Sequence, residues 1–156
     1  RALPEDHELW LRWMHHGVRF AKLPEVLLDW HDRPERLSRN HANYAPEAFD
    51  RLKAHWLGRW YQRRFPVGFP VIIAGTSALC RRRAALLIGE GLHVTAYTDV
   101  RPGGVPGLPF VAPADLPPPG RALVVSLISQ RGTGDRIAEF LRARGLQEGT
   151  DFLLAG

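Results

Sequence analysis

Val71-Ile72-Ile73-Ala74-Gly75-Thr76-Ser77-Ala78-Leu79-Cys80 decides how this chain folds. An unbroken apolar run ends at a glycine, and the residues from Ser77 to Gly89 suit a helix. A short apolar run without polar alternation marks a strand buried on both faces. The unit then repeats. Val94-Thr95-Ala96-Tyr97-Thr98 is a second strand closed by Asp99, and Phe110-Val111 is a short one. Ala122 to Ile128 is a third buried run, Ile137, Phe140 and Leu141 mark a helix, and Phe152-Leu153-Leu154 is a last strand. Strands that alternate with helices predict an α/β fold: a parallel sheet with right-handed crossovers and helices on its faces.

Composition changes upstream of this unit. All five tryptophans and six of the seven histidines precede residue 61. The shift places a boundary near Phe65-Pro66-Val67-Gly68-Phe69-Pro70, dividing the chain into residues 1–66 and 67–156. The first part reads as helix, hairpin, loop, helix. Leu9, Trp10, Trp13 and Met14 have helical spacing, and Gly17 is a stop. Val18 to Leu23 and Val26 to His31 read as two strands around a Pro24-Glu25 turn. Phe49, Leu52, Trp56 and Trp60 then give one aromatic stripe along a helix over Ala45–Phe65.

Bulk properties narrow the function. The 156 residues are 45% hydrophobic, enough for one domain or two small ones. No apolar run approaches the roughly 20 residues of a membrane span. Cys80 is the only cysteine, which excludes an intrachain disulfide and a thiolate metal cluster. The net charge is +5, spread as +3 over residues 1–69 and +2 over residues 70–156. Nucleic-acid binding calls for basic residues gathered on one face, and this spread argues against it. A cytoplasmic setting fits best, with peripheral attachment to the cytoplasmic membrane face and a homodimer left open. Arg1 stands where a native start would have Met, so the chain reads as a piece of a longer polypeptide.

Three stretches of the first part have a combined order. They are Glu5-Asp6-His7-Glu8-Leu9-Trp10-Leu11-Arg12, then Phe20-Ala21-Lys22-Leu23-Pro24-Glu25-Val26-Leu27-Leu28-Asp29-Trp30, then Arg36-Leu37-Ser38-Arg39. Together they resemble the end of an inverting GT-A-fold glycosyltransferase of family 2, over roughly the first 60 residues. The resemblance implies a helix-hairpin-helix remnant of a GT-A domain. It implies that Asp6 is the general base toward the acceptor hydroxyl and that Glu5 positions the acceptor. It implies that His31, Arg33, Arg36 and Arg39 lie on a loop over the donor diphosphate; the bland reading is a solvated loop pairing with Asp29, Asp32 and Glu35. His31 stands where this family tends to place an arginine. The partners implied are a nucleotide-sugar and an acceptor, held through a nucleotide-binding half upstream of Arg1. A divalent metal, Mg or Mn, belongs to the whole enzyme, since no Asp-x-Asp occurs here and no cofactor is assigned to this chain. Alone, these residues are expected to transfer no sugar.

The later part has the layout of a small Rossmann-like three-layer domain. Gly75, Ser77 and Cys80 stand where a dinucleotide loop has its three glycines, and Asp99 falls where the ribose-binding acid belongs. Gly75, Ser77 and Asp99 are therefore the nucleotide-binding candidates, although Ser77 intrudes where a backbone must approach a pyrophosphate. Gly107-Leu108-Pro109-Phe110-Val111 adds to a resemblance with small Rossmann-like domains found beside sugar-modifying enzymes. Arg81-Arg82-Arg83 reads as a solvated helix face, with phosphate or headgroup attraction as the alternative. Ser129-Gln130-Arg131-Gly132 follows a strand at the edge where α/β ligands bind. Two other functions remain: a non-catalytic nucleotide-binding or protein-docking module, and a small NAD(P)-dependent oxidoreductase, which the altered glycine loop disfavours.

Overall fold

The computed structural model describes residues 4–29, 31, 33–35, 41–101, 103 and 105–156. Its centre is a four-stranded parallel sheet of β1 (Val71–Ala74), β2 (Val94–Thr98), β3 (Leu123–Ser126) and β4 (Phe152–Leu154), in the order β2-β1-β3-β4. Every residue of β1 and β3 is buried, as their unbroken apolar runs require. The two pair in register from Val71–Leu123 to Ala74–Ser126.

Among the described residues there are four α-helices: α1 (Glu5–His15), which packs on α2, and α2 (Pro46–Arg64), α3 (Ala78–Gly89) and α4 (Thr133–Ala143), which cover the sheet. α3 joins β1 to β2 and α4 joins β3 to β4. These crossovers travel outward in opposite directions from the central pair, so a shared right hand puts them on opposite faces. On one face Val71, Ile73, Leu123 and Val125 pack with Ala84 and Leu87 of α3 and with Ala54 and Tyr61 of α2. On the other, Ile72, Ala74, Val124 and Phe152 pack with Ala138 and Leu141 of α4. The result is a three-layer, Rossmann-like α/β fold.

The link from β2 to β3 carries no α-helix among the described residues. It holds a 3-10 turn at Pro113–Asp115. Phe110-Val111, expected as a short strand, is a single bridge on the free edge of β2: Tyr97 N donates to Pro109 O at 2.9 Å, and Val111 N to Tyr97 O at 2.8 Å.

α2 is tied to the sheet unit by a buried charge. The Asp50 carboxylate, 4% exposed, accepts from Arg83 Nε at 2.8 Å and from Arg82 Nη2 at 3.2 Å. Arg83, 15% exposed, also donates to the Leu127 carbonyl at 3.2 Å. The arginine run is thus partly structural rather than a wholly solvated face. Gly58 permits the close crossing, since a Cβ there would lie 2.7 Å from Glu90 Cβ. α2 therefore shares a core with the sheet, although the compositional boundary falls after it.

The expected hairpin is corrected. Residues 18–29 and 31 form no strand. The alternation in Val18–Leu23 has no core to face: Val18, Phe20, Leu23, Val26, Leu27 and Leu28 are all exposed. A lone two-stranded ribbon is marginal in water without a third strand or a packing surface. Phe20 does stack on Trp13 of α1, with ring centroids 6.3 Å apart. Among the described residues no helix is long and apolar enough to cross a membrane.

Removing one member of a buried pair leaves the other charge uncompensated. Asp50→Ala is expected to destabilise the fold by about 3 kcal/mol, because Arg83 stays buried without its partner. Glu47→Ala removes an ion pair whose two side chains are each 49% exposed and is expected to cost under about 1 kcal/mol. Urea denaturation of both variants checks this; equal losses would refute the role given to Asp50.

Candidate functional site

Glu5 and Asp6 open α1, both exposed. Pro4 precedes them in an extended conformation and gives no side-chain cap, so early acids meet the positive helix end. Glu5 Oε1 accepts from Tyr44 Oη at 2.9 Å, which anchors the 3-10 turn Ala42–Tyr44 to the helix start and raises the Tyr44 pKa. Asp6 Oδ1 accepts from the His7 amide at 2.8 Å. Among the described residues no cation pairs with Asp6. His31 and Arg33 lie exposed on the segment after α1, and no contact among the described residues links them to the acids. Arg36 and Arg39 lie outside the described residues. No three His, Cys, Asp or Glu side chains gather among the described residues.

The C-terminal edge of the sheet gathers the remaining candidates. Gly75 has φ +117°, and a Cβ there would lie 2.6 Å from Cys80 Sγ and 3.0 Å from Ile128 Cγ1. The position needs glycine for conformation and for space, yet its face is covered by those neighbours. Ser77 caps α3, its Oγ accepting from the Cys80 amide at 3.2 Å. Asp99 Oδ2 accepts from both the amide and the hydroxyl of Thr76, each at 2.9 Å. The structure thus brings Gly75, Ser77 and Asp99 to one edge and engages each in internal structure. Thr76, which carries the Asp99 bond, had no signal beyond its place after the glycine.

Beside this edge a cleft of about 580 Å³ opens on the α4 side of the sheet. Its floor is apolar, with Ala74, Val124, Leu116 and Leu141. Its polar groups are Thr98, Asp99, Arg101, Gln130, Thr133 and Arg136. Of these the sequence pointed to Asp99 and Gln130. The others come from separate segments, and only the strand order β2-β1-β3 places them together.

α1 docks on α2 through a neutral histidine. His15 Nε2 accepts from Arg63 Nη1 at 2.8 Å, and its ring lies 5.0 Å from that of Trp56. Desolvation lowers the His15 pKa below 6.5, reinforced by Arg63, Arg59, His16 and His55. His15 is thus not the dipole-stabilised cation that a helix C-terminus favours.

Comparison with protein-family models, with curated proteins and with solved structures found no match to this chain.

Because the folded pKa of His15 lies below its unfolded value, the unfolded chain binds more protons between the two. The His15 contribution to α1 docking is present above about pH 6.5 and is lost as pH falls toward the folded pKa. An NMR titration of the imidazole should give a midpoint below 6.5, and Arg63→Ala should move it upward. A wild-type midpoint at or above 6.5 would contradict the Arg63 contact.

Proposed function

We propose that this chain is part of an inverting, nucleotide-sugar-dependent glycosyltransferase, joined to a Rossmann-like accessory module. One observation carries the reading: Asp6 stands exposed at the first turn of α1, bonded to a backbone amide of its own helix and to no cation among the described residues. A carboxylate so placed is fixed in position and open to an acceptor. Glu5, held by Tyr44, steadies the turn beside it.

The chemistry is one displacement. The acceptor hydroxyl oxygen forms a bond to the anomeric carbon of the donor. The bond from that carbon to the diphosphate oxygen breaks, and its electron pair leaves with the diphosphate. Asp6 takes the hydroxyl proton as the oxygen attacks. Attack on the face opposite the leaving group inverts the anomeric centre.

A second feature supports the same reading. Trp10, Trp13 and Met14 of α1, with Phe20, Leu23 and Val26–Leu28, present apolar surface to solvent. Trp10, Met14, Val18 and Phe20 line one shallow apolar depression, and surface of this kind marks an interaction face rather than a finished exterior. It fits a segment whose packing partners belong to a donor-binding half. The competing reading, a binding or docking module without catalysis, follows if Asp6 takes no part in chemistry.

In a polypeptide that joins these residues to a donor-binding half, Asp6→Asn is expected to lower kcat by about 10²–10⁴-fold with little change in donor KM. Steady-state kinetics with a nucleotide-sugar panel reads this, and normal turnover by the variant removes Asp6 from the mechanism. The 156 residues alone are expected to release no nucleoside diphosphate from the same donors; robust release would show that they need no donor-binding half.

A further inference from the structure

We infer that the cleft beside α4 is a binding site for a phosphorylated ligand of nucleotide size, with its phosphate at the start of α4 and its apolar body on the sheet. The inference does not depend on sugar transfer at Asp6.

The phosphate end follows from the helix. α4 has 11 residues, and its N-cap is Gly132, in a left-handed conformation at φ 75° with no side-chain cap bond. No side chain caps the first turn, although its Thr133 amide donates to the Gln130 carbonyl at 3.1 Å. The helix dipole favours an anion at the remaining amides, against the one acid of that turn, Asp135. Thr133, Arg136, Ile137, Phe140 and Leu141 recur at helical spacing and all line the cleft. The hydroxyl and guanidinium thus stand nearest the N-terminus, and the apolar side chains lie further along.

A second observation points to a ligand independently. The Thr98 hydroxyl is buried and has no hydrogen-bond partner among the described residues. Thr98 is 4% exposed, ends β2 and lines this cleft. It shares a sheet face with Ala96, two residues back, which packs in the α4-side core. A buried hydroxyl left unpaired is costly, so a polar ligand atom reaching it is rewarded.

Charge agrees. Neither Arg101 nor Arg136 forms an ion pair among the described residues, and the acid among the lining residues is Asp99. One Asp99 oxygen is engaged by Thr76. The other receives only a long 3.5 Å contact from the Arg101 amide, leaving it capacity to accept from a sugar hydroxyl. The volume of about 580 Å³ lies in the range of small-molecule sites. The first loop is the weaker place for phosphate, since Cys80 and Ile128 cover Gly75.

Calorimetry on the chain with UMP, UDP, ADP and inorganic phosphate tests the site. At least one nucleotide is expected to bind, and inorganic phosphate more weakly by tenfold or more. Arg136→Gln should weaken the nucleotide about tenfold, as expected for loss of one charge-assisted contact. Thr98→Val, nearly isosteric, should weaken it severalfold while the thermal midpoint is kept or raised. Arg142→Gln, at the far end of α4 and paired there with Glu148, should leave affinity unchanged. No binding by any nucleotide overturns the site. So does unchanged affinity in both Arg136→Gln and Thr98→Val, and phosphate binding as tightly as nucleotide overturns the apolar-body assignment.

Discussion

The pairing of β1 with β3 constrains everything else in this molecule. Both strands are buried throughout, so both sheet faces need cover. A parallel pair is joined only by long crossovers, and those keep one hand. The chain leaves β1 in one direction and β3 in the other, which puts α3 and α4 on opposite faces. Between the diverging connections the strand order reverses, and the backbone leaves a crevice at the C-terminal edge. The cleft is thus a consequence of topology. Its chemistry comes from the residues that happen to end β2 and begin α4.

α2 is the element through which the N-terminal part joins this frame. A 19-residue helix with aromatic and basic residues on several sides does not choose its partner by hydrophobicity alone. Asp50 supplies direction, because its buried carboxylate is satisfied only when Arg82 and Arg83 of α3 meet it. Gly58 supplies closeness, since a larger side chain would strike the backbone and Cβ of Glu90. α1 then rests on the outer side of α2 through His15 and Trp56. Beyond α1 nothing among the described residues offers comparable cover, and the apolar side chains from Val18 to Leu28 remain in solvent.

The sheet was legible in the sequence because buried parallel strands need unbroken apolar runs, and such runs are rare elsewhere in this chain. Val71–Ala74 and Leu123–Ser126 are fully buried for that reason, and the edge strands Val94–Thr98 and Phe152–Leu154 also match their observed bounds. Val18–Leu23 misled because alternation records which side chains a strand would bury without recording whether anything is there to bury them. Arg83 was read as solvated because a basic run carries no mark of its partner 33 positions upstream. Asp99 was legible from its spacing, but the Thr76 bonds that engage it depend on the turn at Gly75. Thr98, Arg101, Thr133 and Arg136 were not legible as a group, since their meeting is a property of strand order rather than of local pattern.

The placement of the two candidate sites also bears on how they relate. Asp6 belongs to α1, which rests on α2, which covers the α3 face of the sheet. The cleft lies on the α4 face, and no residue of α1 or α2 lines it. A single nucleotide-sized ligand cannot touch both. Whatever occupies the cleft is therefore distinct from the donor proposed to react beside Asp6. α2 also meets the end of the chain, Lys53 Nζ donating to the Gly156 carbonyl and Arg64 Nη2 to Thr150 Oγ1. Leu127 adjoins both faces. Its carbonyl accepts from Arg83 on the α2 side, and its chain continues into Ile128 and Gln130 at the cleft.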